Sequence, residues 1–360
     1  MKKKLGILLT AMIFVVIAGV IIVKSFTKEN SQAVQSDHQL RVVTTFYPVY
    51  MIGLNIADQI GNIEVSSLTD LNTGCLHDYQ LTTEDMKMIS NADLLIINGG
   101  GMEGFLEDIE ANYPDLTIIN ASEGITMLHH EEDADEDHDW NDKDHDRDHD
   151  EDDTGEQNGD HDLDGEINHD HEHDHGEFNA HVWLKPQLYI KQIENVRNGV
   201  VSYIKNNETD SDNSNNTDSM IKRIEENAQS YIEKIQKLDE EYANLGHDLN
   251  LSKAVIFHDS FEYLANRVGI EVAFTVPLDS DTVLSAGDIS TIIDEVNQGN
   301  IRYLFTEQQY SDSIAKRIEA ETDAKMYIID SAVTGDGSKD SYIKAMTNNL
   351  EVIKEAITMK

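Results

Sequence analysis

From residue 221 to residue 245 apolar side chains recur at steps of three and four: Ile221, Ile224, Ala228, Tyr231, Ile235, Leu238, Tyr242 and Leu245. That spacing lines them along one face of an α-helix of about 25 residues, roughly 38 Å at 1.5 Å per residue. The opposite face is polar, and no partner helix is evident nearby in the sequence. Such a helix suits a strut joining two bodies; a coiled coil is the alternative, with only about three heptads available to it.

The chain on either side of this stripe alternates strands with helices. Before it, strands are predicted at 40–45, 63–68, 93–99 and 116–120, with helices at 47–60, from a capping-box-like Thr82 and Asp85 to 91, and at 104–112. After it come strands at 253–257, 270–275, 302–305 and 325–329, with helices at 260–268, 286–298, 312–322 and from about 340. This alternation implies parallel sheets covered on both faces. The fold class is therefore α/β, with an N-terminal lobe over 39–186, linking helices over 187–249 around a polar loop at 206–217, and a C-terminal lobe over 250–360. In open α/β sheets ligands bind beyond the carboxyl ends of the strands, so residues there matter most.

One tract cannot join either core. Residues 129–175 hold 23 of the 69 acidic residues with only Lys143 and Arg147 against them, which is half of the net charge of −42. With almost no apolar side chains, the tract has no burial to offset the entropy of ordering, so a disordered loop is expected over 128–177. It also carries ten of the 15 histidines: His129, His130, His138, His145, His149, His161, His169, His171, His173 and His175. A solubilising acid run explains the carboxylates but not the imidazoles, and His-rich tracts of this kind mean metal binding. Asp160, Asp162, Asp164 and Gly165 open like a calcium loop, but the twelfth position is His171 rather than Glu. Nucleic acid is not an expected partner, because the chain lacks the clustered Lys and Arg that phosphate binding needs.

The N-terminus, MKKK followed by 19 uncharged residues, reads as an export signal over 1–28, either cleaved or retained as an anchor, with a stalk at 29–38. The rest of the chain is then extracytoplasmic, at a bacterial cell surface, anchored or secreted. Cys75 is the single cysteine, so neither an internal disulfide nor a lipid-bearing cysteine beside this segment is expected.

Outside the tract, three histidines stand at element ends. His77 lies in TGCLHDYQLT, His181 directly follows the tract, and His258 follows the strand KAVIF; Asp330 ends the strand KMYII. Three imidazoles and one carboxylate make a closed tetrahedral set suited to Zn²⁺. A closed set leaves no position for a catalytic water, and no nucleophile with an adjacent base is visible, so the chain is not expected to be an enzyme. Spacing alone leaves a surface role open for each histidine and a turn cap for Asp330.

Five segments in order, TTFYPVY, TGCLHDYQLTTEDMKMISNADLLIINGGGMEGFLEDI, AHVWLKP, FHDSFEYLANRVGI and FTEQQYSDSIAKRIEAETDAK, resemble the zinc- and manganese-specific solute-binding proteins of bacterial ABC importers. The resemblance covers nearly all of 40–360. It implies two α/β lobes joined by one long rigid helix, with the metal in the cleft between them and His77, His181, His258 and Asp330 as its ligands. Asp259 and Glu307 are candidates to orient a ligand imidazole, with a helix cap and a surface charge as their alternative roles. A third-position histidine and a His-rich insertion point to Zn²⁺ rather than Mn²⁺, and the implied partner is a membrane ABC permease, with the binding protein a monomer. A manganese carrier, a metal-dependent surface adhesin and a zinc hydrolase are the rival readings. The chain departs from the usual PHDYEP, having Leu76 and Leu81 in place of two prolines. Cys75 is expected to point away from the metal.

Overall fold

A computed structural model of the chain describes residues 39–76, 79–129, 178–207, 214–248, 253–276, 285–307 and 312–358. The expected export segment and stalk, His77, and the tract histidines from His130 to His175 lie outside these residues. Among the described residues no helix is long and apolar enough to cross a membrane.

The first lobe runs β1 (Leu40–Thr44), α1 (Tyr47–Ile56), β2 (Ile63–Ser67), α2 (Thr83–Ser90), β3 (Leu94–Ile97), α3 (Leu106–Asn112) and β4 (Thr117–Asn120). Its sheet is parallel in the order β2-β1-β3-β4. The all-apolar LLII of β3 is buried along its whole length, as a strand covered on both faces must be. The capping box expected before α2 is present: Asp85 N–H donates to Thr82 Oγ1 at 3.2 Å, and Thr82 N–H donates to Asp85 Oδ2 at 2.7 Å. A two-stranded antiparallel ribbon, β5 (Leu128–His129) with β6 (Phe178–Asn179), closes the base of the acidic tract.

After α4 (Pro186–Asn206) and α5 (Ser214–Asp248) the second lobe runs β7 (Lys253–Ile256), α6 (Glu262–Val268), β8 (Glu271–Thr275), α7 (Ala286–Gln298), β9 (Tyr303–Thr306), α8 (Asp312–Glu321), β10 (Lys325–Ile328) and α9 (Ser341–Thr358). Its parallel sheet has the order β10-β9-β7-β8, the same topology as the first. In each, the first strand lies inside, the second flanks it on one side, and the third and fourth lie on the other. Strand alternation splits its apolar residues between two cores. Ala254 and Ile256 face the core shared with α5, α6 and α9, whereas Val255 and Phe257 face a second core built with α7 and α8.

The predicted strut is longer and better covered than its stripe alone implies. α5 has 35 residues and begins at Ser214, inside the stretch expected to be loop, because extending a formed helix costs little once it has nucleated. It packs along α4 and also touches α1, α6 and α9, so its apolar face belongs to one continuous core that reaches into both lobes. Buried polar groups stitch the same junction. Trp183 Nε1–H donates to Ser331 O at 2.8 Å, Tyr342 O–H donates to Trp183 O at 2.6 Å, and Tyr242 O–H donates to Met346 O at 2.6 Å. Tyr189 and Tyr342 stack with centroids 3.9 Å apart. The lobes are thus fixed by packing between them as well as by the helix.

Candidate metal centre

The crevice at the carboxyl end of the second sheet lies where β7 and β9 adjoin, the point at which strand order reverses. The buried run of β7 continues through Phe257 and delivers His258, 2% exposed, at the strand end. β9 delivers Glu307 beside it, also 2% exposed. Nδ1 of His258 is 2.9 Å from Glu307 Oε1 and 2.6 Å from Ser260 Oγ, while Ser331 O–H donates to Glu307 Oε2 at 2.9 Å. A carboxylate on Nδ1 keeps the proton there and leaves the lone pair on Nε2, the arrangement of a metal-ligating imidazole backed by an acid.

His181 reaches the same place from the other lobe, fully buried just after the ribbon at the start of a 3₁₀ turn (Val182–Leu184). Its Nδ1 lies 2.9 Å from Asn179 Oδ1, which also accepts the His181 backbone N–H at 3.1 Å. The amide orientation of Asn179 is fixed by its other end, where Nδ2 donates to Asp259 O at 3.0 Å and to Glu262 Oε2 at 3.1 Å. The proton of His181 therefore also sits on Nδ1. The two imidazoles meet edge to face with centroids 4.9 Å apart, and Trp183 packs 5.1 Å from His181.

Of the predicted orienting residues, Glu307 contacts a ligand-type histidine directly. Asp259 stands between the two rings, its Oδ1 3.5 Å from His258 Nε2 and 3.7 Å from His181 Nδ1, and it also starts a 3₁₀ turn (Asp259–Phe261). Asp330 follows β10 beside Glu307. Its Oδ1 accepts from Ala332 N–H at 2.8 Å, and Asn349 grips its backbone from both sides, at 2.7 Å each. Burial pushes the Asp330 carboxyl up and the charge of Glu307 adds to this, against the Ala332 hydrogen bond. His129, exposed at the ribbon base, stands against Phe178 with centroids 4.6 Å apart.

Among the described residues the potential metal donors that cluster within 4.8 Å of one another are Cys75, His181 and His258; Asp330 is not in that cluster. Cys75 runs against expectation, its Sγ lying 3.6 Å from His181 Nε2. Asn179 gave no signal in the sequence, because its role depends on Glu262, 83 residues away. Two buried imidazoles and a sulfur with donor atoms within 4.8 Å of one another, and carboxylates nearby, fit a borderline divalent cation.

The family model ZnuA, described as "Zinc-uptake complex component A periplasmic", matches residues 42–356. The "High-affinity zinc uptake system protein ZnuA" of Bacillus subtilis is 26% identical over 366 residues, covering 100% of this chain and 99% of that protein. "Zinc-binding protein AdcA" of Streptococcus pyogenes is 26% identical over 90% of this chain, which spans only 57% of the AdcA sequence. Among solved structures, the Zn(II)-bound ZnuA-like domain of Streptococcus pneumoniae AdcA aligns with a TM-score of 0.63 at 23% identity, covering 89% of this chain and 99% of that one. The solute-binding protein FpvC of Pseudomonas aeruginosa, in complex with Mn²⁺, aligns with a TM-score of 0.64 at 21% identity over 89% of this chain and 98% of that one.

Proposed function

The chain belongs to the zinc-uptake complex component A family of periplasmic solute-binding proteins, which are not enzymes, and from that premise we propose that it captures Zn²⁺ outside the cytoplasmic membrane and delivers it to an ABC permease for import. The observation that carries this reading is the pair His181 and His258, buried side by side, one from each lobe, each ring oriented by an acceptor on Nδ1. His77 and Asp330 complete the proposed ligand set, with Glu307 and Asp259 holding the rings. Imidazole suits Zn²⁺, whereas Mn²⁺ is better served by oxygen donors. The Mn²⁺ complex of FpvC keeps a manganese carrier of the same fold as the second reading.

The His-rich stretch of 129–175 serves in this proposal as a collector of weak sites, joined to the cleft through the ribbon two residues before His181. Zinc and manganese titrations of the full chain test the metal assignment, with zinc expected to bind far more tightly and equal or tighter manganese binding refuting it. Loss of zinc-limited growth on deletion of the chain, reproduced by deletion of a membrane permease, tests delivery. Normal growth of either deletion strain at limiting zinc would refute it.

A further inference from the structure

We propose that Cys75 is a sulfur ligand of the captured metal, in the tetrahedral position that Asp330, outside the donor cluster, would otherwise fill, and that its thiolate sets the preference for Zn²⁺ over Mn²⁺; the inference rests on the metal-capture reading above. Gly74, at φ +87°, turns the backbone just before Cys75, and Leu76 just after it is fully buried. The loop is therefore seated by an apolar side chain, and this seating aims the thiol into the cleft. Sγ then lies 3.6 Å from His181 Nε2, and one donor atom from each of Cys75, His181 and His258 falls within a 4.8 Å group.

That separation suits a shared metal as well as a hydrogen bond. Zinc–sulfur and zinc–nitrogen bonds of about 2.3 and 2.05 Å at a tetrahedral angle put sulfur and nitrogen about 3.6 Å apart. A thiol hydrogen bond to the imidazole would use the same geometry without metal, because His181 holds its proton on Nδ1 and presents a lone pair at Nε2. On metal binding the thiol proton leaves to solvent, and the cation takes its place between sulfur and nitrogen. A thiolate favours Zn²⁺ and discriminates against Mn²⁺, which prefers oxygen.

The test uses the full chain loaded with Co²⁺ as a spectroscopic stand-in for zinc, beside Cys75→Ser. A thiolate ligand gives a near-ultraviolet sulfur-to-cobalt charge-transfer band in the wild type that is absent from Cys75→Ser. It also predicts that the ratio of zinc to manganese affinity falls about tenfold or more in the variant, mainly through zinc. If the variant does not fold, X-ray absorption of the zinc-loaded wild type decides, with a sulfur neighbour expected at about 2.3 Å. Metal binding with no charge-transfer band and only nitrogen and oxygen neighbours, or an unchanged affinity ratio in Cys75→Ser, overturns the sulfur ligand while leaving metal capture standing. A wild type that binds neither Zn²⁺ nor Co²⁺ refutes the metal-capture reading itself, and this inference with it.

Discussion

The two sheets share one topology yet treat their carboxyl edges in opposite ways. Thr45 N–H donates to Ile96 O in the first sheet as Phe257 N–H does to Phe305 O in the second, so Phe46 corresponds to His258 and Asn98 to Glu307. In the first lobe the crevice is plugged by its own chain. Gly99, Gly100 and Gly101 all take positive φ, and a side chain at Gly99 would collide with Asn120. This turn brings Glu103 back to accept from Thr45 Oγ1 at 2.7 Å, Asn98 N–H at 2.7 Å and Gly99 N–H at 3.0 Å. In the second lobe the buried carboxylate of Glu307, at the position of Asn98, holds an imidazole instead. The same strand-end crevice is a structural knot in one lobe and holds an imidazole in the other, so the first lobe's proposed donors come from outside its sheet, from the Cys75 loop and the ribbon before His181.

Substitutions at matching positions should separate these roles. Phe46→Ala, which empties a fully buried site against Trp183, should cost about 3–5 kcal/mol of stability in urea unfolding, with zinc affinity of the folded protein little changed. Glu103→Ala strands three buried donors and should cost about 3 kcal/mol with the same indifference to zinc. A large loss of zinc affinity in either folded variant would break the comparison. Glu307→Gln should do the reverse, lowering zinc affinity about 10–100-fold in calorimetry with the fold intact.

The smallest effect sharpens the contrast through pH. Burial pushes the Glu103 carboxyl up, against hydrogen bonds from Thr45, Asn98 and Gly99, so the folded chain keeps that proton to higher pH than the unfolded chain. Its contribution is fully present below the ordinary glutamate range and is lost as pH rises through the folded value. Glu103→Gln should therefore gain stability relative to wild type as pH is raised from about 4 to 7. A pH-independent difference between the two unfolding curves would contradict this.

Much of this was legible in the sequence for a physical reason: periodicity is local. The α/β alternation, the Thr82 capping box and the placing of His181 and His258 at element ends all follow from residues close in sequence. The core that runs through both lobes did not follow, because a helical stripe shows that a face is covered and not by what. The ribbon of β5 and β6 has two residues per strand, too few for any period to show. The aim of Cys75 is likewise set by where Leu76 is buried, and Trp183 finds its acceptor 148 residues away at Ser331.

The tight zinc site proposed for this chain lies between the lobes and not in the acidic tract. Zinc titration of the full chain beside a His181→Ala/His258→Ala double variant, with the tract intact in both, tests it most directly. One tight site plus weak ones is expected in the wild type and only the weak ones in the variant. A tight site that survives the double substitution would contradict it.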